Sequence, residues 1–183
     1  MVEKTDSDEA LFIRELQALY NAEEQLVLGL TKMVVAAEAP DLRAGLARHL
    51  EQTHHHLRRI EQAFTELHRL PSGGDCADIR ALIAKAEEHI GDKNCGTLLD
   101  QALIDAARKI EAYEIAAYRA IISKAYALGF DDIASLLEWN LQEEELCEYQ
   151  LRRVAEELKP AGAPRARQGR NGNNRAAAAG SAL

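Results

Sequence analysis

The sequence predicts an all-α protein built as a bundle of four long helices, and three observations carry that prediction. Apolar residues recur three, four or seven positions apart over four extended stretches. Only 4 prolines fall in 183 residues and 5% of the chain is aromatic, which leans away from a β-sandwich. Two of the connections between stretches are short and one is about 26 residues long, a pattern that an up-and-down bundle does not need. At this length a single buried core is expected.

The first long helix has Asp6 or Ser7 as its cap and carries Phe12, Leu16, Leu19, Leu26, Leu30 and Met33 on one stripe, ending before Pro40. The second opens at Pro40-Asp41, where proline suits a first helical turn. It repeats through Leu42, Leu46, Leu50, Thr53, Leu57, Ile60 and Phe64 until Pro71-Ser72-Gly73-Gly74 stops it. Between Gly74 and Gly96 a shorter pattern of Ile79, Leu82, Ile83, Ala86 and Ile90 predicts a short helix near residues 76–90, lying in the crossover. Thr97 caps the third long helix, through Leu103, Ala107, Ile110, Ile115, Ile121 and Ala125 to Gly129. Asp131 or Asp132 caps the fourth, through Leu137, Leu141, Leu151 and Val154 to Pro160. Helices of this size run on the order of 42–46 Å, long enough to bury their faces only against one another. The domain is therefore placed at residues 1–159, with 160–183 as a disordered tail of Gly, Ala, Asn and Arg.

Charge narrows the function. The chain is at −8, but Arg165, Arg167, Arg170 and Arg175 lie in the tail, which leaves residues 1–159 at −12. So acidic a body repels nucleic acid and anionic membranes and favours cations. Cys76, Cys95 and Cys147 form neither an even disulfide framework nor a CxxC pair, which fits a reducing compartment, and no stretch approaches the ~18 apolar residues of a membrane span. With a polar, acidic N-terminus, the expected location is cytoplasmic.

At 100° per residue, several acids fall inside apolar stripes, where a carboxylate must be paired, protonated or metal-bound. Glu23 is central on the first helix and Glu114 on the third, with Glu111 at the edge. Glu144 and Glu148 lie on the fourth, beside Cys147. On the second, His54 and His55 turn outward, whereas His49, Gln52 and His56 form an edge that can meet the acids. A lone inward Glu is usually a structural group, and Cys147 reads more readily as a small buried thiol than as a ligand. No Lys or Arg is central in any stripe, however, so a bound cation is the economical partner for several acids at once.

These residues carry a family resemblance. Leu19-Tyr20-Asn21-Ala22-Glu23-Glu24-Gln25, His49-Leu50-Glu51-Gln52-Thr53 with Ile60-Glu61, the run from Ile110 to Tyr118, and Leu141-Gln142-Glu143-Glu144-Glu145 resemble, in order and spacing, motifs of the ferritin-like bacterial stress proteins typified by YciE and YciF. The resemblance covers residues 9–158 and implies a rubrerythrin- or ferritin-like fold with a carboxylate-bridged pair of iron or manganese ions. It also implies a role in stress responses and, most simply, a homodimer. The metal residues it and the stripes point to are Glu23, Glu114, Glu144, Glu148, His49, His56 and Gln52. Where the family's second helix reads His-x-x-Glu-Thr, this chain has Gln52, and a neutral amide neither bridges two cations nor offsets their charge. The expectation is one firmly held ion and a weak second.

Two functions are then expected to compete. One is a ferritin-like metal protein that binds iron or manganese, with turnover of peroxide or oxygen left open by the sequence. The other is a metal-free structural or interaction bundle whose inward acids are protonated or hydrogen-bonded to tyrosines and histidines. Mineral storage and DNA protection by the tail rank below both, and no phosphate loop or Gly-x-Ser-x-Gly nucleophile motif is present.

Overall fold

The computed structural model describes residues 2–72, 74–92 and 95–158, and the tail expected from residue 160 lies outside them. Five helices make up the described chain: α1 (Val2–Ala36), α2 (Pro40–Glu66), α3 (Ala77–Gly91), α4 (Thr97–Leu128) and α5 (Asp131–Glu157). Among the described residues, no helix is long and apolar enough to cross a membrane.

Local chemistry sets most of the helix ends. Pro40 occupies the first turn of α2 behind Ala39, which is extended at φ −65° and ψ 125°, as a residue before proline must be. Gly129 ends α4 in the left-handed region at φ 79°, its N–H reaching the Tyr126 carbonyl while the Phe130 N–H reaches that of Ala125. Three expected caps are displaced. α1 already begins at Val2, so Asp6 and Ser7 lie inside it; Gly96 precedes α4 and makes Thr97 its first residue; and Phe130 precedes α5, leaving Asp131 and Asp132 in its first turn. The acids still act there, because carboxylates near a helix N-terminus complement the exposed N–H dipoles.

Packing gives the topology. α1 lies against α2 and α4, and α5 lies against α4 and α2, so α2 and α4 sit on a diagonal. Cross-links show that neighbours are antiparallel. Tyr20 meets Glu61 while Glu23 meets His56, and Arg48 meets Gln150 while Arg59 meets Asn140. Tyr126 meets Glu138 while Arg108 meets Glu148, and Glu15 meets Lys124 while Glu38 meets Asp100. Helices α2 and α4 therefore run the same way, and the chain must travel the length of the bundle between them. This is the ferritin-like arrangement with one long crossover. α3 fills that traverse by packing on α1 and α4. Gly29 lets it close in, since a Cβ there would stand 3.0 Å from Ile83 Cγ2.

The core falls into two apolar clusters. One gathers Leu26, Leu30, Leu42, Leu46, Ile79, Leu103 and Leu151, and the other Phe12, Leu16, Ile60, Phe64, Ile121 and Leu137. On α1 the division falls after Leu19, on α2 between Leu46 and Ile60, and on α4 between Ile110 and Tyr118. A buried polar layer occupies the gap.

A separate buried acid ties α4 to the α1–α2 connection. Asp100 Oδ1 accepts the Glu38 N–H at 2.8 Å and Oδ2 the Ala39 N–H at 2.9 Å. Hydrogen bonds to a charged group contribute about 1.5–3 kcal/mol each, so Asp100→Ala should cost roughly 2–4 kcal/mol in urea denaturation, with Asp100→Asn in between. A cost below about 0.5 kcal/mol would remove Asp100 from this role.

Candidate metal centre

Each helix of the four-membered bundle sends polar groups into the layer between the two apolar clusters. They are Glu23 from α1, His49, Thr53 and His56 from α2, Glu111 and Glu114 from α4, and Asn140 and Glu144 from α5, all buried. The spacings follow helical geometry: three, four and seven residues keep side chains on one face.

Three groups of metal-ligand type arise here, each with its donor atoms within 4.8 Å of one another: His49, Glu111, Glu114 and Glu144; Glu23, His56 and Glu144; and His49, Glu111 and Cys147. Glu144 belongs to the first two and joins them. His56 Nδ1 stands 2.9 Å from Glu144 Oε1 and 3.3 Å from Glu23 Oε1, and His49 Nε2 stands 3.0 Å from Glu111 Oε1 and 3.8 Å from Glu144 Oε2. Despite this proximity, both of those ring nitrogens lack an aligned hydrogen-bond partner. So do Glu23 Oε2, Glu111 Oε2 and both carboxyl oxygens of Glu114 and Glu144. Nitrogen and oxygen atoms about 3 Å apart without an aligned hydrogen bond between them have the separation of adjacent ligands in an octahedral shell with bonds near 2.1 Å.

The surroundings orient the donors. His56 Nε2 lies 3.0 Å from Glu143 Oε2, which Arg59 also holds at 2.7 Å, so with Nε2 donating, Nδ1 is left to face Glu23 and Glu144. A ligand histidine is typically fixed in this way through its other nitrogen. A second chain runs from Arg59 to Asn140 Oδ1 at 2.8 Å, from Asn140 Nδ2 to the Tyr118 hydroxyl at 2.9 Å, and from that hydroxyl to Glu23 Oε1. Cys147 Sγ donates to Glu111 Oε1 at 3.4 Å.

Burial dominates the ionisation. It pushes Glu111 up to about 7 and, with the neighbouring charge of Glu111, pushes Glu144 up to about 7 as well. Glu114 rises well above the usual carboxylate range through burial and the charges of Glu144 and Glu23. His49 is lowered by burial, which keeps a lone pair on its ring. For His56 burial also lowers, but Glu23, Glu143 and Glu144 outweigh it and hold the ring well above 6.5. Burial raises Glu143 too, yet its hydrogen bonds to His56 and Arg59 bring it down to about 2.

Of the residues singled out in the sequence, Glu23, Glu114, Glu144, His49 and His56 come together and two do not. Gln52 is half-buried, whereas the fully buried face of α2 runs through His49, Thr53 and His56. Glu148 turns to Arg108 at 3.1 Å and Arg152 at 3.5 Å, while Cys147 takes the inner position beside it. The fourth inward carboxylate is Glu111, whose place three residues before Glu114 was its signal. Asn140, Glu143 and Arg59 were missed altogether; only Asn140, four residues before Glu144, had a pattern that could have shown it.

The profile of a family described as Domain of unknown function (DUF892) matches residues 7–163. The chain is 35% identical over 148 residues to Protein YciF of Escherichia coli (strain K12), covering 80% of this chain and 89% of that protein. The crystal structure of the E. coli stress protein YciF superposes with a TM-score of 0.80 at 34% identity, over 82% of this chain and 96% of that one. YcfI from Rhodopseudomonas palustris, described as a candidate structural protein, gives a TM-score of 0.78 at 40% identity over 81% and 94% of the two chains. Dps from Thermosynechococcus elongatus, at 15% identity over 82% and 94%, shares the fold with a TM-score of 0.66.

The ionisation has a measurable consequence for the metal-free protein. Glu111 and Glu144 have folded-state values above the ordinary 4.5, so the stability tied to their protons is present below pH 4.5 and lost by about pH 7; Glu114 and His56, also raised, extend the loss to higher pH. His49 runs the other way, but only up to 6.5. Chelator-treated protein should therefore melt lower at pH 8 than at pH 6, by roughly 5 °C or more. Equal or rising melting temperatures over that interval would contradict the buried-acid account.

Proposed function

Since the chain belongs to the DUF892 family and shares its fold with YciF, we propose that it is a ferritin-like stress-response protein that binds two divalent iron or manganese ions through its buried acid layer. The observation that carries the reading is the set of orphaned donor atoms. Four buried carboxylates and two imidazoles converge with several donor atoms that lack an aligned hydrogen-bond partner, and no Lys or Arg is buried among the described residues. Leaving such groups unmatched costs on the order of several kcal/mol each, whereas two divalent cations balance four ionised carboxylates. Mixed imidazole and carboxylate donors suit iron and manganese. Glu23, His56 and Glu144 would hold one ion and His49, Glu111, Glu114 and Glu144 the other, with Glu144 shared. Bound there, the ions would supply Lewis-acid or one-electron chemistry. The chain itself contributes the orientation of His56 by Glu143, the phenol of Tyr118 held on Glu23, and an apolar surround on both sides of the layer.

Because Glu111 supplies the fourth carboxylate, the second ion does not depend on Gln52. Anaerobic titration of tag-free protein with Fe(II) or Mn(II) should give two ions per chain. Glu144→Ala should weaken both, and Glu114→Gln should remove one. Gln52→Glu should leave stoichiometry and affinity within about threefold of wild type, since Gln52 is half-buried, off the buried face of α2, where an added charge stays partly solvated. No stoichiometric binding by the wild type would overturn the reading in favour of a metal-free structural bundle.

A further inference from the structure

The two halves of the layer differ in one donor. A ferritin-like bundle supplies a Glu from each of two helices and a Glu-x-x-His pair from each of the other two. Here the residue three after Glu144 is Cys147. Cys147 is 6% exposed, its thiol donates to Glu111 Oε1 at 3.4 Å, and its sulfur lies within 4.8 Å of a His49 ring nitrogen. Glu111 Oε2 and His49 Nε2 are buried without an aligned hydrogen-bond partner, so the two residues grouped with the sulfur each keep a donor atom available. The other buried thiol, Cys76, is engaged with the Tyr113 hydroxyl at 3.2 Å and belongs to none of the ligand groups, and Cys95 is exposed.

The geometry points to Cys147 as a thiolate ligand of the ion on the His49 and Glu111 side, so that this position still fills with iron or manganese but prefers a borderline or soft divalent cation such as zinc, while the Glu23 and His56 position keeps only nitrogen and oxygen donors. This rests on the metal-centre reading above and deepens it by making the two positions unlike. A donor set that adds a thiolate sulfur to imidazole nitrogen and carboxylate oxygen is one that zinc and cobalt(II) accept readily and that manganese accepts less well. Coordination replaces the Cys147 S–H bond by a sulfur–metal bond and releases one proton to solvent per ion bound. The hydrogen bond that the thiol now gives to Glu111 is lost at the same time, freeing that oxygen as a ligand.

Cobalt(II) is the probe that separates this assignment from the metal pair itself. Titrated into full-length, reduced, chelator-treated protein, it should produce the near-ultraviolet charge-transfer absorption of a thiolate–cobalt bond, with retained cobalt counted by elemental analysis. Cys147→Ala should retain cobalt on the oxygen- and nitrogen-lined position but lose that absorption. Zn(II) affinity should fall at least about tenfold in the same variant, while Mn(II) affinity stays within about threefold. Cys147→Ser, closer in size, should behave like Cys147→Ala in the absorption and guards against a packing defect. Cobalt retained by the wild type without the charge-transfer absorption would overturn the thiolate assignment and leave the metal pair standing, as would an absorption that persists in both variants. No cobalt retained by the wild type would overturn both.

Discussion

The constraint on which the rest of this structure depends is that Glu23, Glu111, Glu114 and Glu144 are buried together midway along the bundle. A carboxylate taken out of water costs several kcal/mol unless it is matched. The surrounding structure is organised to match it or to wait for a match. The layer divides the core into two apolar clusters, and each cluster anchors the helices on one side of it. Sliding any helix by one turn, about 5.4 Å, would carry its acid out of the layer and into Leu, Ile or Phe packing. The polar groups therefore fix the register of the four helices, a specification that a uniformly apolar seam would not provide.

The crossover follows from the same arrangement. With all neighbours antiparallel, α2 and α4 share a direction, and the link between them must climb the bundle. The chain uses that link as a fifth packing element, laying α3 over the groove between α1 and α4. Gly29 permits the close approach, and the Asn21 and Gln25 side chains tie down the backbone of Cys76 just before α3 begins. The residues that fasten α3 thus sit on the same turns of α1 as Glu23, so the cover and the acid layer are positioned by one stretch of helix.

How much of this was legible in the sequence depended on whether a residue's role lay in its own helix or in a neighbour's. Leu16, Leu26 and Ile110 announced the stripes, Gly129 and Pro40 announced the ends, and Glu23, Glu114 and Glu144 stood out because each is central among apolar neighbours. Glu111 sat at the stripe's edge on the wheel, and only the position of α2 reveals that this edge faces His49. Gln52 looked informative because of what stands there in related chains, yet Thr53 holds the inward place beside it. The partnership of Arg59 with Asn140 and Glu143 spans more than 80 residues of sequence, and no helical period encodes a contact made across two helices. Caps misread by a few residues had a simpler cause: acids serve a first turn as well as a cap position.

The two sides of Glu144 differ in how much of their order is already present. On one side, Glu23 is held through Tyr118 and Asn140, and His56 through Glu143, with Arg59 bracing both chains. On the other, Glu114 has neither oxygen hydrogen-bonded and His49 neither nitrogen. Affinity for a cation depends on the rotamer freedom and desolvation still to be given up on binding as well as on the donors available. The braced side has given up much of that freedom on folding, so its side chains would meet an ion in place. The unbraced side has more carboxylate and a thiol within reach but must settle its side chains around the ion. In the proposed centre a single shared carboxylate would therefore join the braced position to the unbraced one, and ordering Glu144 at the first would lower the cost of filling the second.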